Sequence, residues 1–207
     1  MATDDDDPIE RIYQALVARQ LDPSDLSARK LAAFLGKTTG VVYHRWSSVD
    51  GLLFAVAQRG FEELGARLLS TWERTHELAD CAQAFVEFGL DHPVLYPLMF
   101  ERRHDWAALR AAGAFQSGTP GSGLLAGVVC LMQEAGSQNP MADTRLLMAG
   151  LHGLVSFAAS GRMNVGELGS PDRAVAVASA RDLATRVIGT RAADEATDVR
   201  VKKGRGR

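Results

Sequence analysis

Apolar residues recur at three- and four-residue spacing along most of the chain, and no clear alternating pattern marks a strand. The pattern therefore predicts an all-α protein. A first helix is expected over 8–20. Asp7-Pro8-Ile9-Glu10 supplies an N-cap, a proline at the first helical position and a capping-box acid three residues after the cap. Ile12, Leu16 and Arg19 share a face, with Tyr13 beside it. Asp22-Pro23-Ser24 marks a turn. A helix over 28–34 turns Leu31 and Phe34 or Leu35 inward, and Gly36 suits the left-handed residue that ends it. A short third helix follows over 39–45. A fourth starts near Ser48, where Ser47-x-x-Asp50 has the form of a capping box. Its apolar stripe is Leu53, Val56 or Ala57, Gly60, Leu64 and Leu68.

Beyond Trp72 the chain becomes more apolar. Helices are expected over 78–90, 94–103, 107–115, 124–134, 141–160 and 171–189, with a flexible glycine-rich break over 118–123. Asn139-Pro140 and Ser170-Pro171 repeat the cap-plus-proline start signal. From about 192 onward the composition is polar and charged, as in a disordered tail. The expected organisation is a three-helix unit with its N-terminal arm over 1–50, a larger helical domain over 51–191 and a basic tail over 192–207.

The 207 residues are 46% hydrophobic and 23% charged, with a formal net charge of −2, so any nucleic-acid contact needs a local basic surface. One exists between Ile12 and Ser48. There the basic residues Arg19, Arg29, Lys30, Lys37 and Arg45 outnumber the acidic Asp22 and Asp25. No secretory pattern opens the chain, and the longest apolar stretch, over 146–161, is interrupted by His152 and too short for a bilayer span. A cytoplasmic protein without membrane contact is expected. Cys81 and Cys130 have no metal-type spacing and form no disulfide framework; both are expected to be small buried apolar residues.

The segment from Leu26 to Trp46 reads as helix, glycine turn and second short helix, a helix-turn-helix. Ala32 and Gly36 would let the two helices approach closely, and Val42 and Trp46 fall on the buried side. Thr38 and Thr39 open the second helix, where free N–H groups favour phosphate. Gly40 permits close backbone approach, Val41 can touch a thymine methyl, and Tyr43 and His44 can donate to phosphate. Arg29, Lys30, Lys37 and Arg45 supply charge. The run Leu31-Ala32 … Leu35-Gly36-Lys37-Thr38-Thr39-Gly40-Val41-Val42-Tyr43-His44-Arg45-Trp46, followed by Asp50 and Leu52-Leu53, resembles the DNA-binding domain of TetR-type repressors over about 9–59. The resemblance implies DNA contacts by Arg29, Lys37, Thr38, Thr39, Gly40, Tyr43 and His44. Two positions depart from that family's pattern. Val49 stands where a phosphate-clamping lysine is usual, and Asp4 to Asp7 replace a basic arm.

Downstream, His92-Pro93-Val94-Leu95-Tyr96-Pro97-Leu98-Met99-Phe100 and Leu151-His152-Gly153-Leu154-Val155 resemble the effector domain of one TetR subgroup. That resemblance implies a ligand cavity among the early helices and a homodimer made by the last two long helices. Gly150, Leu154 and Phe157 or Ala158 on one, and Val177, Ala180 or Arg181, Ala184 and Val187 or Ile188 on the other, offer the apolar faces, although an intrachain core would look the same. Two subunits would double the readout on a pseudo-palindromic operator with half-sites about 34–36 Å apart. Candidate lining residues are Phe85, Phe88, His92, Tyr96, Met99, Phe100, His104, Trp106, Met132, Met148, His152 and Phe157, with Gln83 and Glu87 as further polar anchors. A small apolar or aromatic effector suits such a wall. Gly51, Gly60 and Gly65 in the fourth helix fit tight packing, a pivot or simple tolerance.

The reading is of a ligand-responsive DNA-binding repressor, not an enzyme, with no cofactor and no metal. Glu73-x-x-His76 and Glu101-x-x-His104 have a di-iron spacing, but both sit near expected helix ends beside arginines. No nucleophile elbow or phosphate-cradling loop occurs. Arg200, Lys202, Lys203, Arg205 and Arg207 make a basic tail, most simply solvated.

Overall fold

The computed structural model describes residues 7–115, 119–163 and 172–204, with side chains as far as 188. The described residues are helical apart from connections. The order is α1 (Pro8–Val17), a 3-10 turn (Pro23–Asp25), α2 (Ala28–Leu35), α3 (Thr39–Trp46), α4 (Val49–Thr75), α5 (Leu78–Asp91), α6 (Leu95–Phe100), α7 (Trp106–Ala111), α8 (Pro120–Glu134), α9 (Pro140–Ala159) and α10 (Asp172–Gly204). They fall into two compact units. One is Met1–Gly65 with His92–Leu124, the other Ala66–Asp91 with Leu125–Arg207.

In the first unit α1, α2 and α3 are short, and specific groups fix several of their ends. Asp7 caps α1 by accepting from the Ile9 N–H at 3.1 Å. Glu10 does not serve as the expected box acid. One of its oxygens accepts from Gln14 at 2.6 Å and the other from Arg59 at 2.8 Å. Helix α1 ends at Val17, short of expectation, because Arg19 takes a left-handed φ of 58°. Ile12, Tyr13 and Leu16 are buried as expected, and Arg19 is exposed. Arg11 reaches across to the end of α2 and donates to the Phe34 and Leu35 carbonyls at 3.2 and 3.4 Å. Those carbonyls have no partner inside their own helix.

Gly36 ends α2 at φ 66°, and Lys37 N–H returns to the Ala32 carbonyl at 2.8 Å, a Schellman ending. A Cβ on Gly36 would meet nothing within 4 Å, so the glycine supplies backbone conformation and not the helix-to-helix clearance expected of it. The expected Ser47 capping box is also corrected. Ser47 lies after α3 at φ 61°, and the cap of α4 is Ser48, whose hydroxyl accepts from the Gly51 N–H at 2.9 Å. Asp50 is turned elsewhere, as described below. The α4 stripe of Leu53, Val56, Ala57, Leu64 and Leu68 is buried.

Helix α8 begins at Pro120, so the expected flexible break over 118–123 is helical from 120 onward; Gly118 lies outside the described residues. Thr119 accepts from the Ser122 N–H at 3.4 Å, and proline takes the first helical position, which explains the earlier start.

The second unit packs α5, α9 and α10 through small and branched side chains. Ala176, Ala180, Ala184 and Val187 of α10, Leu147, Leu151 and Val155 of α9, and Phe85, Val86 and Phe88 of α5 are buried. Gly150 faces Leu183 of the same chain, where an added Cβ would lie 2.4 Å from a leucine methyl. Asn139 caps α9 through the Ala142 N–H at 3.4 Å, as Asn139-Pro140 predicts. The Ser170-Pro171 signal lies outside the described residues. Helix α10 continues past the expected end at Gly189 to Gly204, through most of the stretch expected to be disordered; Ala192, Ala193 and Ala196 favour that continuation. Cys81 is buried, and burial together with the charge of Asp80 pushes its thiol up to about 11. Cys130 is exposed, contrary to expectation.

Candidate nucleic-acid interface and ligand pocket

Helix α3 buries Val42 against the core and half-buries Trp46. Around them Lys37, Thr38, Thr39, Gly40, Val41, Tyr43, His44 and Arg45 are all exposed, Tyr43 at 54%. Thr38 begins the helix without a side-chain cap bond, which leaves its hydroxyl and the first N–H groups open to an anion. A Cβ on Gly40 would meet only the Thr38 hydroxyl at 3.6 Å, so nothing crowds this end. Arg29 is exposed on α2. Among the described residues no carboxylate pairs with Arg29, Lys37 or Arg45, whereas Lys30 is taken by Asp25. The Arg45 guanidinium lies 5.0 Å over the Trp46 ring, which steadies it without neutralising it. All nine residues expected to meet DNA are exposed, Arg29 on α2 and the others in or beside α3. Val49 is half-buried at the start of α4.

What holds this region lies largely outside the motif. Tyr13 donates to Glu63 at 2.5 Å, and Arg59 pairs with Glu10 and lies 4.7 Å over the Tyr13 ring. Asp50 accepts from Arg102 at 3.0 Å, from His104 Nδ1 at 3.0 Å and from the Asp105 N–H at 3.1 Å. Partial burial works against its charge, but Arg102, the Asp105 N–H and His104 together hold its carboxyl below the ordinary value. The α3–α4 turn is tight. An added Cβ on Gly51 would stand 2.2 Å from the Trp46 carbonyl oxygen. Of the three α4 glycines, Gly51 and Gly60 are packed closely, the latter against Met99, while Gly65 has ordinary contact distance.

The expected ligand residues divide between the units. In the first unit, Met99, His104 and Trp106 meet at a cavity of about 260 Å³ shared with Phe54, Phe61 and Phe115. Phe54 sits 5.4 Å from His104, 6.1 Å from Trp106 and 5.3 Å from Phe115. Phe100 packs 5.2 Å from Phe61 and 4.6 Å from Tyr96, behind the cavity wall, and His92 is half-buried. In the second unit, Phe85, Phe88 and Met132 are buried core, Met148 and His152 are half-buried on α9, and Phe157 is 58% exposed. Gln83 and Glu87 bond each other at 2.9 Å and line a polar cleft with Arg67 and Arg74. Phe54, Gln58 and Phe61 were missed from sequence. They lie at i, i+4 and i+7 on α4, a spacing that places them on one face.

The two Glu-x-x-His pairs have other engagements. His104 is turned to Asp50, and His76 ends α4 at φ 52° with its ring 5.7 Å from Trp72. Among the described residues no group of three or more His, Cys, Asp or Glu side chains is placed to hold a metal ion, and no helix is long and apolar enough to cross a membrane.

A protein family described as tetracyclin repressor-like, C-terminal domain, matches residues 78–190. Two solved structures share the fold. A protein of unknown function from Rhodococcus sp. RHA1 aligns with TM-score 0.61 at 24% identity, over 86% of this chain and 95% of that one. A Rhodococcus sp. protein provisionally described as a TetR-family transcriptional regulator aligns with TM-score 0.55 at 15% identity, over 88% and 97%. No protein of curated function matches the chain.

Proposed function

The chain belongs to the tetracycline-repressor-like family of transcription regulators, and on that premise we propose that it is a homodimeric repressor that releases a pseudo-palindromic operator when a small apolar or aromatic molecule binds. The observation that carries the DNA half is the outer face of α3, where exposed donors, and cations that no described carboxylate pairs, surround the buried Val42. Residues 1–50 act as the reader, with Arg29, Lys37, Thr38, Thr39, Gly40, Val41, Tyr43, His44 and Arg45 in contact with DNA. Phosphate contacts by the cations and by the α3 N-terminus set register, and Val41 and the threonines meet base edges.

Residues 51–191 carry effector binding and dimerisation. Leu146 and Phe157 of α9 are 59% and 58% exposed in the single chain, apolar area that a second copy would cover. A regulator of this kind works in the cytoplasm. Release requires the effector to prefer a state whose two readers no longer match the half-site spacing. Fluorescence anisotropy with the DNA flanking the protein's own gene tests the reading. Wild type binds in a salt-sensitive way, Tyr43→Ala loses binding, and the dimer persists in both. A folded dimer that binds no DNA at low salt would instead make this a helical ligand-binding protein.

A further inference from the structure

We propose that the cavity framed by Phe54, His104, Trp106 and Phe115 is the effector site, and that it takes a small planar aromatic molecule bearing a hydroxyl group. The proposal deepens the ligand-responsive reading above and rests on it. Trp106 and Phe115 are 53% and 39% exposed although their rings stand only 5.6 Å apart beside the cavity. Rings left open to water around a cavity gain by covering one another's faces and edges with a further ring. Phe61 and Met99 extend the apolar wall, and a space of about 260 Å³ limits the guest to one or two rings.

Among the described residues four polar side chains line the wall. Thr119 donates to Ser122 at 3.2 Å and Ser122 to the Thr119 carbonyl at 2.7 Å, so Gln58 and His104 specify the rest. The Gln58 carbonyl oxygen accepts from the Gly121 N–H at 2.9 Å, which leaves the amide NH2 as donor. His104 Nδ1 lies 3.0 Å from the Asp50 carboxylate, an acceptor, so Nδ1 carries the hydrogen and a neutral ring has its lone pair on Nε2. One donor and one acceptor in an aromatic wall match a hydroxyl, which accepts from the first and donates to the second. No Lys, Arg, Asp or Glu lines this cavity among the described residues, so neither a carboxylate nor an ammonium guest finds a counter-charge. A guest on Nε2 also acts on the ring whose other edge holds Asp50. Asp50 stands in the first turn of α4, four residues after the end of α3. The site therefore adjoins the start of α4 through the His104 imidazole as well as through Phe54 on that helix.

Isothermal titration of the full chain with 2-naphthol, phenol and naphthalene tests this. The expected result is saturable binding of 2-naphthol, one per chain. Trp106→Ala weakens it about tenfold with an unchanged melting temperature, and Gln58→Leu cuts the preference for 2-naphthol over naphthalene by about fivefold. Folded protein that binds neither 2-naphthol nor phenol, or that binds them equally well as Trp106→Ala, overturns the site. Naphthalene bound as tightly as 2-naphthol overturns the hydroxyl. Operator release is read separately by anisotropy. Trp106-dependent binding with an intact operator complex leaves the site standing and removes the ligand-responsive reading; release by 2-naphthol that ignores Trp106 overturns the site and keeps that reading.

Discussion

The two units are held by different means. In the unit that bears α3, single side chains reach backbone groups of distant segments: Arg11 to the Phe34 and Leu35 carbonyls, Asp50 to the Asp105 N–H, Gln58 to the Gly121 N–H. In the other unit the ion pairs join side chain to side chain, as in Arg67 with Glu87 and Arg181 with Asp80, around a core of α10 alanines. Among the described residues of that unit, a weak thiol bond runs from Cys81 to the Leu68 carbonyl at 3.7 Å. Helix length bears on the contrast at the ends of α2 and α7, eight and six residues long, which receive two of these reaches. Helices of two turns carry too few apolar positions to fix their own orientation, so directional bonds at their ends do it. Long helices can share their orientation among many adaptable side-chain contacts. A reader built from short helices is therefore exact in geometry and sensitive to individual groups.

Two glycine substitutions test that contrast most sharply, and the larger effect belongs to the first unit. In Gly51→Ala the new methyl meets the Trp46 carbonyl, which is backbone and cannot rotate away. A loss of about 2–3 kcal/mol is expected from urea unfolding, with operator affinity falling as the α3–α4 turn is forced open. Asp50→Asn comes next, at about 1–2 kcal/mol near neutral pH. The folded-state pKa of Asp50 lies below its ordinary value of 3.8. Its contribution is therefore complete above that pH and disappears as pH falls through the lower folded value. Stability curves against pH should show wild type and Asp50→Asn converging in acid; a constant gap there would show that the carboxylate's charge contributes nothing. Gly150→Ala is the smallest, below about 1 kcal/mol, although its Cβ would come within 2.4 Å of Leu183. The obstacle there is the end of a flexible side chain. A thermal melt that placed Gly150→Ala beside Gly51→Ala would remove the contrast.

The same difference decides what the sequence makes legible. Periodicity is a property of one helix, so the α4 stripe, the Gly36 ending and the Asn139-Pro140 start were readable from neighbours in the chain. The exposed run from Lys37 to Arg45 was readable for the same reason, since it lies in or beside one short helix. Asp50 was not. As a residue near a serine it looked like a capping acid, and only its partners Arg102, His104 and Asp105, more than fifty residues away, give it another role. The pocket failed similarly. The aromatic residues after Phe85 stood out by composition, yet half of that set belongs to the core and surface of the second unit, whereas the wall of the cavity needed Phe54, Gln58 and Phe61 from α4. Thr119-Pro120 was a readable start signal masked by the glycines around it.

The central claim is that the outer face of α3 grips DNA. The most direct test is the slope of operator affinity against salt concentration for wild type and Lys37→Ala, both verified as folded dimers. Each neutralised phosphate contributes about 0.9 to that slope. Lys37 is exposed and unpaired by any described carboxylate, so its removal should lower the slope by about that amount with a parallel loss of affinity. Binding with slope and affinity unchanged in Lys37→Ala would contradict the account and place the DNA contact on another surface.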